Sequence, residues 1–151
     1  MRHWFDTEFI EDGKTIDLIS IGIVSEDGRE FYAESGECDL SRAEPWVVAN
    51  VLPHLTGEKS SRLKIARQIR EFVGEKPEFW AYYADYDWVV LCQLYGRMID
   101  LPEGWPKFCR DLKQFAGNRH LPMQTETEHH ALADARWNKR AWEYLASQEK
   151  G

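Results

Sequence analysis

The chain begins with the run His3-Trp4-Phe5-Asp6-Thr7-Glu8-Phe9, in which two acids stand two positions apart among apolar residues. Aromatic residues favour a β-strand, and alternate side chains of a strand share a face, so Asp6 and Glu8 would point the same way. Two carboxylates this close repel each other, and a cation such as Mg²⁺ removes the repulsion because it binds carboxylate oxygens. The alternative is a solvated strand end with two surface acids, so a metal site requires further ligands elsewhere.

The residues that follow predict two more strands in an antiparallel meander. Between Ile16 and Val24, isoleucines alternate with Ser20 and Gly22, which is the period-two pattern of a strand. The run Glu26-Asp27-Gly28 is a hairpin signal, and Arg29 to Ser35 would return as the third strand. Because Gly22 has no side chain, another element could approach that face of the sheet closely.

Helical patterns dominate the rest of the chain. Apolar residues recur at helical spacing between Arg62 and Val73, and Pro45 to Leu52 is a shorter predicted helix. An aromatic strand, Glu78 to Tyr83, is followed by a helical pattern that starts at Asp87, and the last helix runs from about His129 to Ser147. A short strand at Lys107-Phe108-Cys109 and a short helix at Asp111 to Ala116 complete the order.

This order predicts an α/β fold with a mixed central sheet, in which the antiparallel three-strand meander is joined by parallel strands and flanked by helices. The length of 151 residues fits a single domain spanning 1–151. The formal net charge of −7 argues against a broad duplex-binding surface, which is normally basic. The charge remains compatible with an enzyme that binds a short single-stranded end of a nucleic acid through metal ions.

Cysteine content and hydropathy bear on location. The three cysteines share no close spacing, which favours free thiols in a reducing compartment over a disulfide framework or a zinc site. No stretch approaches the ~20 consecutive apolar residues of a membrane span. We therefore expect a cytoplasmic protein that does not contact the membrane.

Three further residues could complete a site around the opening pair. Asp87 begins a helix directly after a strand, at the end of the sheet where open α/β folds bind ligands. Taken alone, it could equally be a helix acid stabilised by the macrodipole, and the same holds for Asp134 early in the last helix. His129 alone could be a surface histidine. Asp85 competes with Asp87, which we prefer because the apolar helix pattern starts immediately after it.

Together these motifs resemble a known family. The pair Asp6-x-Glu8, then Asp87 at a strand–helix junction, then His129-x-x-x-x-Asp134, are similar to the motifs of the DEDDh family of 3′–5′ exonucleases. The resemblance covers essentially the whole chain and implies the ribonuclease H-like fold, which agrees with the predicted element order. Within that family, the stretches Phe5 to Gly13 and Tyr86 to Leu94 most resemble the polyadenylate-specific exoribonuclease (RNase AS) subgroup.

The resemblance implies a mechanism. Asp6, Glu8, Asp87 and Asp134 would hold two divalent ions, Mg²⁺ or Mn²⁺, and His129 would be the general base. Two cations ~4 Å apart can hold the attacking and leaving oxygens of an in-line displacement, and an imidazole can accept the proton of the attacking water. The substrate would be a single-stranded RNA 3′ end, with poly(A) as one candidate, and the products nucleoside 5′-monophosphates. Relatives of this size are often homodimers, so the resemblance offers that state as well.

The choice of base depends on where the last helix begins. On a continuous helix, His130 and Asp134 share a face, whereas His129 and Asp134 do not. The family pattern selects His129, which requires this residue to lie in the loop or the first turn.

The sequence departs from the family pattern at Tyr83, which stands where many family members carry an asparagine. The substrate contact usually made there is therefore not transferred to this chain.

The sequence allows more than one substrate contact and more than one function. The backbone of Thr7 could touch the terminal nucleotide, and Phe9 could either stack on a base, worth roughly 1–3 kcal/mol, or belong to the core. A DNA-directed 3′–5′ exonuclease is the first rival, and turnover of matched RNA and DNA oligomers separates it from an exoribonuclease. The others are a non-catalytic nucleic-acid-binding module and an acidic metal-buffering or interaction domain, which would bind without hydrolysis.

Overall fold

In the computed structural model, which describes residues 1–150, the chain is organised around one six-stranded sheet. The strands are β1 (Arg2–Glu11), β2 (Ile16–Ser25), β3 (Glu30–Ser35), β4 (Lys59–Ser60), β5 (Glu78–Ala81) and β6 (Arg110–Asp111). The helices are α1 (Pro45–Asn50), α2 (Arg62–Val73), α3 (Asp85–Gln93), α4 (Leu112–Ala116) and α5 (Ala131–Glu149). Short 3₁₀ turns lie at Leu40–Arg42, Leu52–His54 and Met98–Asp100.

The sheet is mixed, as the sequence predicts. Its strand order is β4-β3-β2-β1-β5-β6. The first three strands form the predicted antiparallel meander, whereas β5 runs parallel to β1, β6 parallel to β5 and β4 parallel to β3. Among residues 1–150, no helix combines the length and the apolar character needed to cross a bilayer.

Several predicted boundaries were wrong. Helix α3 starts at Asp85 and not at Asp87, β5 ends at Ala81 and not at Tyr83, and α1 ends at Asn50 and not at Leu52. The last helix starts at Ala131 and not at His129, because His129 has a positive φ of 64° and His130 is extended, neither of which continues into a helix. The short strand after α3 is Arg110–Asp111 and not Lys107-Phe108-Cys109. Strand β4, which pairs with the end of β3, was not predicted.

The two faces of the sheet carry different hydrophobic clusters. On one face, Phe5 and Ile21 pack with buried residues of α2 and α3, such as Ile65 and Leu91. On the other face, Trp4 packs with Trp80 of β5, Leu112 of α4 and Leu145 of α5. Since successive side chains of a strand point to opposite faces, Trp4 and Phe5 separate the two clusters and leave Asp6 on the α5 side.

Strands β1 and β5 separate where the acids of β1 begin. Their ladder ends at the pair Trp4–Trp80, and β1 continues alone on that side. The backbone groups thereby left unpaired are bound by side chains: Asn138 of α5 donates to the Phe5 carbonyl at 2.9 Å, and the Thr7 N–H donates to Asp87 Oδ1 at 3.1 Å. The opening therefore positions α3 and α5 beside Asp6 and Glu8.

The N-terminus of α5 also lies directly on the sheet. Gly22 of β2 is paired with Asp6 of β1. A Cβ atom built on Gly22 would lie 2.4 Å from the Cα atom of Leu132, a distance that real Cβ atoms do not reach. The absence of a side chain at this position, predicted to permit a close approach, lets the first turn of α5 carry Asp134 to the β1 acids.

Candidate active site

Four carboxylates converge from three elements: Asp6 and Glu8 from β1, Asp87 from α3 and Asp134 from α5. Side-chain oxygens of Asp134 and Glu8 lie within 4.8 Å of each other, and Asp6 and Asp134 line the same cavity. Asp87 is close enough for its charge to raise the pKa of both β1 acids. The structure thus brings together the four acids that the sequence singled out.

Burial and mutual repulsion make the ionised forms of these acids unfavourable without a counter-charge. Burial, followed by the charges of Asp87, Glu8 and Asp134, raises the pKa of Asp6 well above its usual range. Burial and the neighbouring acids raise the pKa of Glu8 to about 8, and burial raises the pKa of Asp87 to about 7. Burial also raises the pKa of Asp134.

The donor set fits divalent cations. All four side chains offer carboxylate oxygens, which are the ligands that Mg²⁺ and Mn²⁺ prefer. Within residues 1–150, none of the ion pairs joins a lysine or arginine to any of the four acids. The negative charge of the cluster is therefore not compensated by the chain itself, and a bound cation would supply the compensation.

Asp87 is held in place by Thr7. It lies in the first turn of α3 and is 6% exposed, whereas Asp85 in the same turn is exposed. The backbone N–H and the hydroxyl of Thr7 both donate to Asp87 Oδ1, and these bonds oppose the rise that burial causes in the Asp87 pKa. Of the two candidate acids, Asp87 is the one that faces the cluster.

His129 lies at the edge of the acids, outside the helix. Side-chain ligand atoms of His129, Glu8 and Asp134 all lie within 4.8 Å of one another. His129 has a positive φ and lies near the end of the loop that precedes α5. The backbone N–H of His129 donates to Asp134 Oδ2 at 3.2 Å. Its ring stands edge-on to Trp46 at a centroid distance of 4.8 Å.

His130 has other contacts. It is the N-cap residue of α5, where its Nδ1 accepts a hydrogen bond from the Ala133 N–H at 3.5 Å. Its ring stacks on Tyr32 with the centroids 4.7 Å apart. Because α5 begins only at Ala131, the helical spacing that would favour His130 as the base does not apply.

Two cavities adjoin the acids. One, of about 340 Å³, is lined by Tyr82, Gln124, Glu128, Trp137 and Asn138 together with Asp6, His129 and Asp134. The other, of about 200 Å³, lies beside Glu8 and is lined by Phe9 and Trp46 among others. Phe9 also packs against the core and edge-on to Tyr86 at 6.1 Å, while its stacking on a base stays a prediction.

Two residues that contact the site were not predicted from the sequence. Trp46 of α1 is 54% exposed and touches His129, and Gln124 donates from Nε2 to Asp134 Oδ1 at 2.7 Å. Neither lies in a motif, since Trp46 belongs to a short apolar helix and Gln124 to an irregular polar stretch. Asn138 left a signal, as the polar interruption in the apolar stripe of the last helix.

Solved structures with a similar fold are exonucleases. Exonuclease I of E. coli, in a zinc-bound complex with single-stranded DNA, superposes with a TM-score of 0.70 at 12% identity over 98% of this chain. Exonuclease I of Methylocaldum szegediense gives a TM-score of 0.68 at 13% identity over 97% of this chain. The chain spans 40% of the length of each of these proteins. At such identities the likeness concerns the fold, and it confirms the predicted ribonuclease H-like arrangement.

Sequence comparison identifies the family. The chain is 44% identical over 160 aligned positions to two proteins of Mycobacterium tuberculosis strains, the 3′–5′ exoribonucleases Rv2179c and MT2234.1. The alignments cover 99% of this chain and 95% of each relative. The family model described as the 3′–5′ exoribonuclease Rv2179c-like domain matches residues 1–146. The predicted exonuclease class is thereby confirmed, and the chain belongs to the Rv2179c-like 3′–5′ exoribonuclease domain family.

Proposed function

We propose that residues 1–151 form a single exoribonuclease domain that removes nucleoside 5′-monophosphates from single-stranded RNA 3′ ends by two-metal-ion hydrolysis. The observation that carries this proposal is the convergence of Asp6, Glu8, Asp87 and Asp134 in a cluster to which no lysine or arginine of residues 1–150 is ion-paired. The relatives at 44% identity support RNA as the substrate.

The four acids would hold two Mg²⁺ or Mn²⁺ ions. When bound, such ions supply positive charge that activates the attacking water and stabilises the charge developing on the phosphate. The chain's own contribution is to aim the carboxylates. Thr7 holds Asp87, while Gln124 and the His129 N–H hold the two oxygens of Asp134.

His129 is suited to be the general base. Its ring lies beside Glu8 and Asp134, and its side chain is 37% exposed, so a proton taken from water at the ring nitrogen can pass to solvent. The left-handed backbone at His129 costs on the order of 1–3 kcal/mol, and strain of this kind is concentrated at functional sites. His130 has capping and stacking contacts that would be lost if it moved to the acids.

The terminal nucleotide would bind beside Glu8. Phe9 and Trp46 line the 200 Å³ cavity there, and aromatic stacking tolerates any base. The Thr7 N–H is occupied by Asp87, so a nucleotide contact by Thr7 would come from its remaining backbone atoms. Poly(A) as the preferred substrate and a homodimeric state belong to the proposal on the strength of the family resemblance, and a cytoplasmic location on the strength of the unpaired cysteine spacing.

Matched RNA and DNA oligomers, blocked at either the 3′ or the 5′ end, test the function with Mg²⁺ or Mn²⁺ present. We expect 5′-monophosphates to be released from RNA with a free 3′ end and Asp6→Asn to be inactive. A preference for DNA would favour the DNA-directed rival. Binding of RNA without release of mononucleotides would favour the non-catalytic module, and metal binding alone the metal-buffering domain.

A further inference from the structure

The carboxylate of Asp134 is held by one hydrogen bond on each oxygen. Gln124 Nε2 donates to Oδ1 at 2.7 Å, and the His129 backbone N–H donates to Oδ2 at 3.2 Å. A carboxylate oxygen carries two lone pairs, so each oxygen keeps one for a cation. The side-chain amide and the backbone amide together fix the plane of the carboxylate, which its own single bonds do not.

Gln124 is itself anchored independently of Asp134. Two residues before it, the carbonyl of Pro122 accepts a hydrogen bond from Trp137 Nε1 at 2.8 Å. Two residues after it, Glu126 forms ion pairs with Arg136 at 3.1 Å and Arg140 at 3.2 Å. The loop that carries Gln124 is thus attached to α5 on both sides of the glutamine, so little further ordering is needed for the amide to reach the carboxylate.

Arg136 extends this attachment to the sheet. The same guanidinium that binds Glu126 also binds both carboxylate oxygens of Glu30, at 2.7 and 2.8 Å, where β3 begins. Loop, helix and sheet edge are therefore joined around the turn of α5 that carries Asp134. This geometry makes the position of the Gln124 amide a property of the fold rather than of a free loop side chain.

We propose that Gln124 is a positioning residue, whose amide holds the Asp134 carboxylate in the orientation that presents it to divalent cations. The proposal rests on the function proposed above. Side chains that orient a metal ligand through a hydrogen bond typically change metal affinity or activity by 10- to 100-fold when they are replaced. Gln124 acts through Asp134 and is not a ligand in this scheme.

Mn²⁺ titration of the purified full chain by calorimetry tests the proposal. Gln124→Met keeps the length of the side chain without its donor, and Gln124→Asn keeps the amide but withdraws it by one methylene. We expect both variants to raise the Mn²⁺ dissociation constant about 10- to 100-fold. The matched control is Gln114→Met, at an exposed glutamine of α4, which should bind Mn²⁺ like the wild type.

Kinetics separate positioning from substrate contact. At limiting Mn²⁺ we expect kcat of Gln124→Met to fall with an unchanged KM for RNA, and excess Mn²⁺ to restore it. Wild-type Mn²⁺ affinity in both Gln124 variants would overturn the proposal, and so would a raised KM alone. If the Gln124 variants melt at a lower temperature in chelator but bind Mn²⁺ like the wild type, the role of Gln124 is structural and the proposal is overturned. If the wild type hydrolyses RNA and binds Mn²⁺, such results contradict only Gln124; if the wild type does neither, the proposed function fails as well.

Discussion

Thr7 donates both its backbone N–H and its hydroxyl to a single oxygen of Asp87, a residue 80 positions further along the chain. These two hydrogen bonds form beyond the last pair of the β1–β5 ladder, where the Thr7 backbone N–H meets a side chain instead of a neighbouring strand. It links the first acidic motif to the second. The residue between the two β1 acids therefore has a defined task, which is to hold the third acid.

Replacing Thr7 by valine tests this link. Thr7→Val keeps the branched shape and the backbone N–H but removes the hydroxyl, so Asp87 loses one of its two donors. We expect kcat for RNA hydrolysis to fall about 10-fold, in the range seen for residues that orient metal ligands, with little change in KM. The control is Thr15→Val, whose hydroxyl bonds Asp12 in an exposed turn. Equal activity of the two variants would contradict the assignment.

Gly22 supports the contact between α5 and the sheet. In Gly22→Ala, the new Cβ would overlap the backbone of Leu132, and α5 would have to move away from β2. We expect a loss of about 1–3 kcal/mol in the free energy of unfolding, as for other overpacked sites, and a larger loss of activity because Asp134 moves with the helix. Gly36→Ala, where the nearest atom is 3.4 Å away, is the control for thermal melting and turnover. Wild-type behaviour of Gly22→Ala would show that the contact is not needed.

Stability without metal should fall as the pH rises. The pKa of Glu8 is raised from 4.5 to about 8 and that of Asp87 from 3.8 to about 7. At a pH between the ordinary and the raised pKa values, the folded chain therefore binds more protons than the unfolded chain. The free energy of unfolding therefore decreases between about pH 5 and pH 8. We expect the decrease to exceed about 1.4 kcal/mol, the equivalent of one pKa unit.

Denaturant unfolding in chelator at pH 5 and pH 8 measures this effect. Mg²⁺ or Mn²⁺ at pH 8 should restore most of the loss, since a cation replaces the protons. Asp6→Asn removes one of the repelling carboxylates and should show a smaller pH dependence. Constant or rising stability of the metal-free wild type across this interval would be inconsistent with a crowded acid cluster.

The two adjacent histidines should behave differently. His129→Ala is expected to lower kcat by about 10²- to 10⁴-fold, the usual contribution of a general base. His130→Ala should keep turnover but lose about 1 kcal/mol of stability, because the N-cap contact with Ala133 disappears. Parallel measurement of turnover and thermal melting decides between them. Loss of turnover in His130→Ala alone would reverse the assignment.

Trp46 should contribute to RNA binding. If its exposed ring stacks on the terminal base, Trp46→Ala should raise KM by roughly 5- to 150-fold, equivalent to about 1–3 kcal/mol, and Trp46→Phe should recover part of the affinity. Val48, which is also exposed on α1, provides the control Val48→Ala. A fall in kcat at unchanged KM would instead indicate that Trp46 positions the ring of His129, which it touches.

Local sequence patterns were sufficient to predict several helices and strands. Helix α2 has the predicted bounds Arg62–Val73 because its signals are local: the Ser61 side chain accepts the Lys64 N–H, and Gly74 with its positive φ ends the helix. The meander follows from alternation and from the hairpin at Glu26-Asp27-Gly28. The start of α5 was misplaced because the backbone of His129 is held by its contact with Asp134, which no local pattern contains.

The sequence by itself determined the sheet meander, the acids that share a strand face and, through the order of its motifs, the family. These depend on periodicity and spacing, which are properties of neighbouring residues. Only the tertiary structure decided that Trp46 touches His129, that Gln124 holds Asp134 and that Thr7 holds Asp87. Such contacts join residues far apart in the chain, and they form because β1 and β5 separate and α5 lies against Gly22.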